Sequence, residues 1–389
     1  MIINISSYAI EIMRNLFFYI VLFIANFTYA QSYDVLFLGN SYTYYNNLPE
    51  MISNIANDLG DTVNYDQNTP GGTSLYAHSQ NQTTINKINQ QNWDFVVLQD
   101  QSQRPSLSPS YVAASVYPYA TQLVNLINSN YICSEPVFYM TWGRKYGDQT
   151  NCQSYPPVCT FLGMQERLRD SYLTMGIDNN ASVSPVGIAF KNSISLDSTI
   201  DLYTSDNSHP SIYGSYLAAC TFYSTIFKKS SVGCSFKPNA INQSDALFLQ
   251  QVASSTVLDS MFVWNIFQAQ FDFNQNGNVF DFINKSSNFE NCIWDFGDGN
   301  QSTDFNPTHT YLQNGVYDVI LTLQTNSGCL SEVYSLQLNV NSTQINEYQE
   351  NKKIIKSFNI LGNQINENFQ GLIIEIDSKG KSSKKVYLE

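Results

Sequence analysis

Positive charge is what this sequence has least of. Nineteen lysines and arginines stand against 32 aspartates and glutamates in 389 residues, a formal net charge of -13 and a pI near 4.6. Affinity for phosphate backbones comes from lysines and arginines that displace counterions, so nucleic acid is excluded as a partner. Charge of either sign is scarce as well, at 13%, and with 43% hydrophobic residues this excludes a disordered, self-repelling polymer. No Cys-x-x-Cys pair and no cysteine–histidine cluster is present, so no zinc or other metal is expected. A glycine-rich phosphate loop is also missing, and no cofactor is expected; no Gly-x-Ser-x-Gly elbow is present either.

Long apolar runs are confined to one place. Residues 15–30 form a single hydrophobic stretch preceded by Arg14 and closed by Thr28 and Ala30, small residues at signal-peptidase spacing. Residues 1–30 therefore read as a removable secretory signal, too short for a comfortable membrane anchor. The mature chain from Gln31 is expected outside the cytoplasm with no membrane span. Seven cysteines suit that compartment. Proximity in sequence suggests Cys152 with Cys159, Cys220 with Cys234 and Cys292 with Cys329, leaving Cys133 as a packed thiol.

From residue 31 to 260 short apolar runs alternate with helical patterns. VLFLG (35–39), FVVL (95–98), PVFYMT (136–141) and SPVGIA (184–189) read as buried parallel strands. The intervening segments carry apolar residues at three and four spacing, including one helix over 110–129, one ending near Gly176, and a last over Ser244–Leu258. Such an order implies an α/β domain of three layers around a mainly parallel sheet. Residues 261–341 change to short strands with Gly and Asn turns. Trp294 and Phe296 alternate, Asp298-Gly299 supplies a tight turn, and Tyr317, Val319 and Leu321 alternate again, as in an antiparallel sandwich. Asp295 and Asp298 read as turn chemistry rather than metal ligands. After Asn351 fall seven of the fourteen lysines, and residues 342–389 read as a linker and a small β module.

In an α/β sheet ligands bind beyond the carboxyl ends of strands. Gly39-Asn40-Ser41 stands at the first such end, where a serine hydroxyl is exposed at a strand-to-helix turn. A serine attacks at neutral pH only when a base takes its proton, and the chain has three histidines. His309 lies in the sandwich segment, and His78 in a polar stretch that reads as surface. His209 has Asp206 three residues before it, so carboxylate and imidazole can meet on one turn and the carboxylate can set the tautomer.

Three resemblances follow from these residues. Gly39-Asn40-Ser41, Gly71-Gly72 and Asp206-x-x-His209-Pro210, in that order over about 230 residues, resemble the SGNH (GDSL-like) hydrolases. That resemblance implies a flavodoxin-like sheet and an esterase with Ser41, His209 and Asp206 as catalytic residues. It also implies an oxyanion hole from the Ser41 N–H and the N–H of Gly72 or Gly71. Where the family has an oxyanion asparagine this chain reads VVLQDQSQRP, so Gln101 by alignment or Gln99 by strand exit is the expected donor. Tyr42, Tyr44, Arg104 and Trp142 could line the rim and bind a small-molecule or polysaccharide ester, O-acetyl esters in particular. The competing reading is an inactive glycan-binding or adhesive surface protein; a lipase would need a broad apolar cleft. Residues 292–323 resemble the PKD domain, an immunoglobulin-like β-sandwich, in which His309 is structural. Residues 353–389 resemble the C-terminal sorting domain of type IX secretion, which implies that secretion machinery as a partner and cleavage of the tail.

Overall fold

Alternation along one strand divides the first half of the molecule into layers. The computed structural model describes residues 30–286, 289–324, 329 and 331–341, and the backbone of 354–359, 371–377 and 382–387. Apart from Ala30, the expected signal segment lies outside them. Strand β1 (Ser32–Leu38) sends Val35 and Phe37 into one apolar core and Leu36 and Leu38 into another, because successive side chains of a strand point to opposite faces. β2 (Thr62–Asn68), β3 (Phe95–Leu98), β4 (Glu135–Tyr139) and β5 (Ser182–Ser184) join it in parallel, in the order β2-β1-β3-β4-β5. Between and after them come helices α1 (Ser41–Tyr44), α2 (Leu48–Asp58), α3 (Leu75–Gln80), α4 (Gln82–Ile88), α5 (Pro109–Ser115), α6 (Tyr117–Asn130), α7 (Phe161–Asp178), α8 (Val186–Leu196), α9 (Ile212–Phe227) and α10 (Gln243–Leu258). Helices α2, α8, α9 and α10 close the first core, and α6 and α7 the second. This is the expected three-layer α/β fold with flavodoxin-like strand order, whose direction of winding reverses between β1 and β3.

Four details of the expected secondary structure are corrected. The run SPVGIA is not a strand: β5 stops at Ser184, and Pro185 caps α8. Apolar runs buried on all sides look alike in either conformation, and periodicity alone does not separate them. β2 was not foreseen, since TVNYDQN is a polar edge strand held by β1 rather than by burial. The single helix over 110–129 is two, broken at Val116, because Pro118 supplies no N–H to the preceding turn. Helix α7 runs past Gly176, which sits in the helix because a Cβ there would meet the Val183 side chain at 2.7 Å.

The strands β6 (Phe271–Asn276), β7 (Val279–Asn284), β8 (Asn291–Asp295), β9 (Gln301–Ser302), β10 (Thr308–Thr310), β11 (Gly315–Gln324) and β12 (Ser331–Val340) form two sheets, ordered β10-β7-β6 and β12-β11-β8-β9. Trp294 is fully buried, with the rings of Phe271 and Phe282 at 5.0 and 5.4 Å. Asp295 and Asp298 accept from the N–H groups of Gly297 and Asn300, the turn chemistry expected. His309 stacks on Phe296 at 4.1 Å and bonds Asp298 at 2.8 Å, a structural placement. At the C-terminal end β13 (Ile354–Asn359), β14 (Gly371–Asp377) and β15 (Ser382–Tyr387) make a three-stranded antiparallel sheet. The chain divides into two compact units, one of residues up to 274 with 281–309 and 317–338, the other of 275–280, 310–316 and the stretch from 339.

Cys152 and Cys159 are bonded as expected, but Cys133 pairs with Cys329 across 196 residues. Cys220, Cys234 and Cys292 are free and buried. Sequence proximity misleads here because a disulfide needs Cα atoms within about 4.4 to 6.8 Å, and folding brings Cys133 and Cys329 to 5.1 Å. Burial pushes the Cys234 thiol up to about 12, so it is inert as a nucleophile.

Candidate active site

The turn leaving β1 is built around an asparagine. Asn40 caps α1 by accepting the Tyr42 N–H at 3.1 Å, and its amide donates to Thr73 O at 2.8 Å and Asp100 O at 3.3 Å. One side chain thus ties the β1 exit to the Gly71-Gly72 loop and to the β3 exit, across the reversal point of the sheet. Gly39 admits nothing larger: a Cβ would stand 2.4 Å from Thr43 Oγ1 and 2.7 Å from Gln99 Oε1. Ser41 follows as the first residue of α1, partly exposed.

His209 reaches the same point from a loop before α9. Tyr203 and Pro210 form an isolated antiparallel bridge, Thr204 N–H donates to His209 O at 2.9 Å, and Asn207 takes a left-handed φ of 61° to close the turn. Within it, Asp206 Oδ1 accepts from the N–H groups of Ser208 and His209, both at 2.9 Å, and from the Thr204 hydroxyl at 2.8 Å. Asp206 Oδ2 lies 2.5 Å from His209 Nδ1, and His209 Nε2 lies 2.9 Å from Ser41 Oγ. A carboxylate only accepts, so Nδ1 carries the hydrogen and Nε2 of the neutral ring is free to accept from the serine hydroxyl. Burial raises the Asp206 carboxyl, but the bonds from the His209 ring, the two N–H groups and Thr204 outweigh it and hold it well below the ordinary carboxylate range. Asp206 is thus ionised at neutral pH, able to stabilise an imidazolium beside it.

The structure therefore brings Ser41, His209 and Asp206 together, and treats the other expected residues differently. Trp142 is 0% exposed, stacked between Tyr42 at 4.6 Å and Phe190 at 4.1 Å, and its Nε1 donates to Ser208 O at 3.0 Å. Tyr42 is buried too, its hydroxyl 2.7 Å from Ser208 Oγ. Neither stands at the rim; both underlie the His209 loop and hold Ser208. Arg104 is spent on Tyr111 Oη and Ser115 O, with Asp100 3.5 Å away. Gln99 Nε2 uses both hydrogens on Asn40 Oδ1 and Asp100 O, whereas Gln101 Nε2 has one bond, to Gln103 Oε1 at 3.2 Å. An amide NH2 has two hydrogens, so Gln101 keeps one to give and Gln99 none. Gly72 is exposed with a φ of 69°, and Tyr44 is 44% exposed with its hydroxyl 3.7 Å from where a Gly71 Cβ would be.

Sequence reasoning missed three residues. Tyr45 stacks on the His209 ring at 4.5 Å while Tyr42 meets it edge-on at 5.5 Å, so the imidazole is confined between two aromatic rings. No spacing signals this; the loop after Tyr45 needs two left-handed asparagines, Asn46 and Asn47, and Asn46 is anchored to Pro210 O and Ser215 Oγ. His78, expected at the surface, is wholly buried, because Gly39 O and Thr84 Oγ1 satisfy both of its nitrogens. Asp100 is also wholly buried, its Oδ1 accepting from the N–H of Gln101 at 2.6 Å and of Leu75 at 3.2 Å.

Burial drives the Asp100 carboxyl up to about 6, against the lowering effects of Arg104 and the two N–H groups. A carboxyl that holds its proton more tightly in the folded than in the unfolded chain is stabilising below its unfolded pKa of about 3.9, and that contribution is lost as pH rises to 6. Asp100→Asn should therefore gain stability relative to the parent between pH 4 and 6.5, by on the order of 2 to 3 kcal/mol, and no further above it. Denaturant midpoints of both proteins across that range check this. A difference independent of pH would mean that Asp100 stays ionised throughout.

Residues 272–340 match the family model described as the PKD domain. Over 69 residues the chain is 38% identical to collagenase ColA of Bacillus cereus, covering 18% of this chain and 7% of that protein, so it spans only a small part of that relative. Among solved structures it is similar to a DUF4886 family protein from Bacteroides uniformis, at 19% identity over 58% of this chain and 95% of that one, with a TM-score of 0.49. It is also similar to a protein of Slackia heliotrinireducens assigned to the SGNH hydrolases, at 25% identity over 49% of this chain and 97% of that one, with a TM-score of 0.41. The chain thus carries a PKD domain at residues 272–340, the stretch from which the two antiparallel sheets are built.

Proposed function

We propose that this chain is an exported SGNH-type serine esterase that hydrolyses acyl esters, O-acetyl esters foremost, on small molecules or carbohydrate polymers. One observation carries the reading: His209 Nε2 is 2.9 Å from Ser41 Oγ while its Nδ1 is bonded to Asp206. In the cycle, Ser41 Oγ attacks the ester carbonyl as its proton passes to His209 Nε2, and Asp206 steadies the imidazolium. The oxyanion is held by the Ser41 N–H, the Gly72 N–H and the spare Gln101 hydrogen. Collapse breaks the ester C–O bond, and the departing alcohol takes the proton from His209. Water then attacks the acyl-enzyme, again giving its proton to His209, and the acid leaves as Ser41 recovers its hydrogen.

In the proposed division of the chain, residues 1–30 are the signal, 31–260 the hydrolase, 261–341 the PKD sandwich and 342–389 a linker with a type IX sorting domain. Two disulfides suit an oxidising compartment, the three-stranded sheet of β13, β14 and β15 suits an address read by secretion machinery, and among the described residues no helix is long and apolar enough to cross a membrane.

Hydrolysis of p-nitrophenyl acetate tests the reading. The parent chain should turn the ester over, and Ser41→Ala should fall at least roughly a thousandfold. Equal turnover in both removes Ser41 as nucleophile. A folded parent with no turnover that is retained on glycan supports the adhesive reading instead.

A further inference from the structure

His78 takes no part in the cycle above, yet it lies directly behind the turn that carries Ser41. Its Nε2 is 2.9 Å from Gly39 O, and its Nδ1 is 2.9 Å from Thr84 Oγ1. A carbonyl oxygen only accepts, so Nε2 carries a hydrogen. Burial disfavours the charged ring and pushes its pKa below the ordinary histidine value, more than the Gly39 bond raises it. Nδ1 is therefore bare and accepts from the Thr84 hydroxyl. The Thr84 oxygen accepts in turn from Asn68 Nδ2 at 2.8 Å, and the Asn68 carbonyl accepts the Gly39 N–H at 3.2 Å. The chain of bonds begins and ends on Gly39.

Its consequence falls on one peptide plane. The Gly39 C=O is held by His78, and the N–H of the same peptide, that of Asn40, is held by Gln99 Oε1 at 2.9 Å. The Gln99 oxygen also accepts from Thr43 Oγ1 at 2.9 Å, so it is itself fixed. A peptide gripped at both poles cannot rotate, and Ser41 follows it by one residue. Both grips are buried, where hydrogen bonds are stronger and an orphaned partner is costly.

We propose that His78 is a positioning residue for acyl transfer: as the Nε2–H tautomer, set by Gly39 O and supported by the Thr84 hydroxyl on Nδ1, it locks the Gly39–Asn40 peptide and thereby the placing of Ser41 Oγ against His209. The kinetic part of this rests on the esterase reading; the state of the ring does not. A misplacement of about 1 Å at a reacting atom can cost on the order of a hundredfold in rate. His78→Leu should then lower kcat on p-nitrophenyl acetate by about ten- to a hundredfold with KM within about twofold. His78→Gln, whose amide can still donate to Gly39 O, should recover most of that loss. Thr84→Val keeps the shape of its side chain and removes the hydroxyl, and should slow kcat several-fold.

A merely structural histidine would leave kcat intact in every variant that folds. The proposal is therefore overturned by full kcat in folded His78→Leu, by His78→Gln as slow as His78→Leu, or, should the leucine variant not fold, by unaltered kcat in Thr84→Val. Nitrogen NMR of the parent labelled with 15N-histidine gives an answer independent of turnover. The expected state at pH 7 is a neutral His78 ring protonated on Nε2; a ring protonated on Nδ1, or on both nitrogens, overturns the proposal. A parent that hydrolyses no ester while His78 shows the expected ring state overturns the esterase reading and leaves the lock standing.

Discussion

Replacing His209 with alanine is expected to lower kcat/KM for p-nitrophenyl acetate by roughly ten-thousandfold, with little change in stability. The loss is large because, among the described residues, the histidine bonded to the serine hydroxyl is His209, at 2.9 Å. The other two histidines are committed elsewhere, His78 to Gly39 and Thr84 and His309 to Asp298. The small effect on folding follows from placement: the His209 side chain is 26% exposed, and the turn that carries it is closed by backbone bonds of Thr204 and by Asp206 Oδ1. Steady-state kinetics and thermal melting of the variant check both halves. A loss below about tenfold would mean that the imidazole is not the base.

Asp206→Asn should be more damaging than Asp206→Ala, an inversion of the usual order for a conservative change. Three donors converge on Asp206 Oδ1, namely Ser208 N–H, His209 N–H and the Thr204 hydroxyl. They would hold the oxygen of an asparagine in the same place and turn its NH2 toward His209 Nδ1. That NH2 can only donate, so Nδ1 would have to accept and the hydrogen would move to Nε2, where it blocks the proton transfer from Ser41. The expected loss in kcat is roughly a thousandfold or more. With alanine no group forces the tautomer, and because the Asp206 side chain is 47% exposed, water can take its place. The expected loss there is about ten- to a hundredfold. The kcat of the two variants, measured side by side, decides; an asparagine variant as active as the alanine one would show that the carboxylate does not set the tautomer.

The parts of this site that could be read along the chain are those whose geometry is local. Asp206 and His209 are three residues apart on one turn, and Ser41 follows an apolar run that has to be a buried strand. The layered fold was legible for the same reason, since alternation in VLFLG and helical spacing around it are short-range patterns. What escaped reading is set by contacts across tens of residues. His78 looked superficial because Gly39, 39 residues away, is brought to it by the exit of β1, and this bond joins that of the nearby Thr84 in burying the ring. Trp142 looked like a rim aromatic, and only the crossing of β4's exit with α8 and the Ser41 turn encloses it between Phe190 and Tyr42. Cys133 and Cys329 share no local signal at all. Strand β2 escaped because a polar edge strand is held by its neighbour's backbone, and SPVGIA because burial on every side erases periodicity.

The central claim is that Ser41 is activated by His209, and a serine-directed fluorophosphonate tests it most directly, since the reagent reacts only with a hydroxyl whose proton has somewhere to go. Peptide mapping of the labelled parent should find the phosphonyl group on Ser41 alone, and His209→Ala should show almost none. Label on another serine, or undiminished label on Ser41 in the alanine variant, would contradict the account.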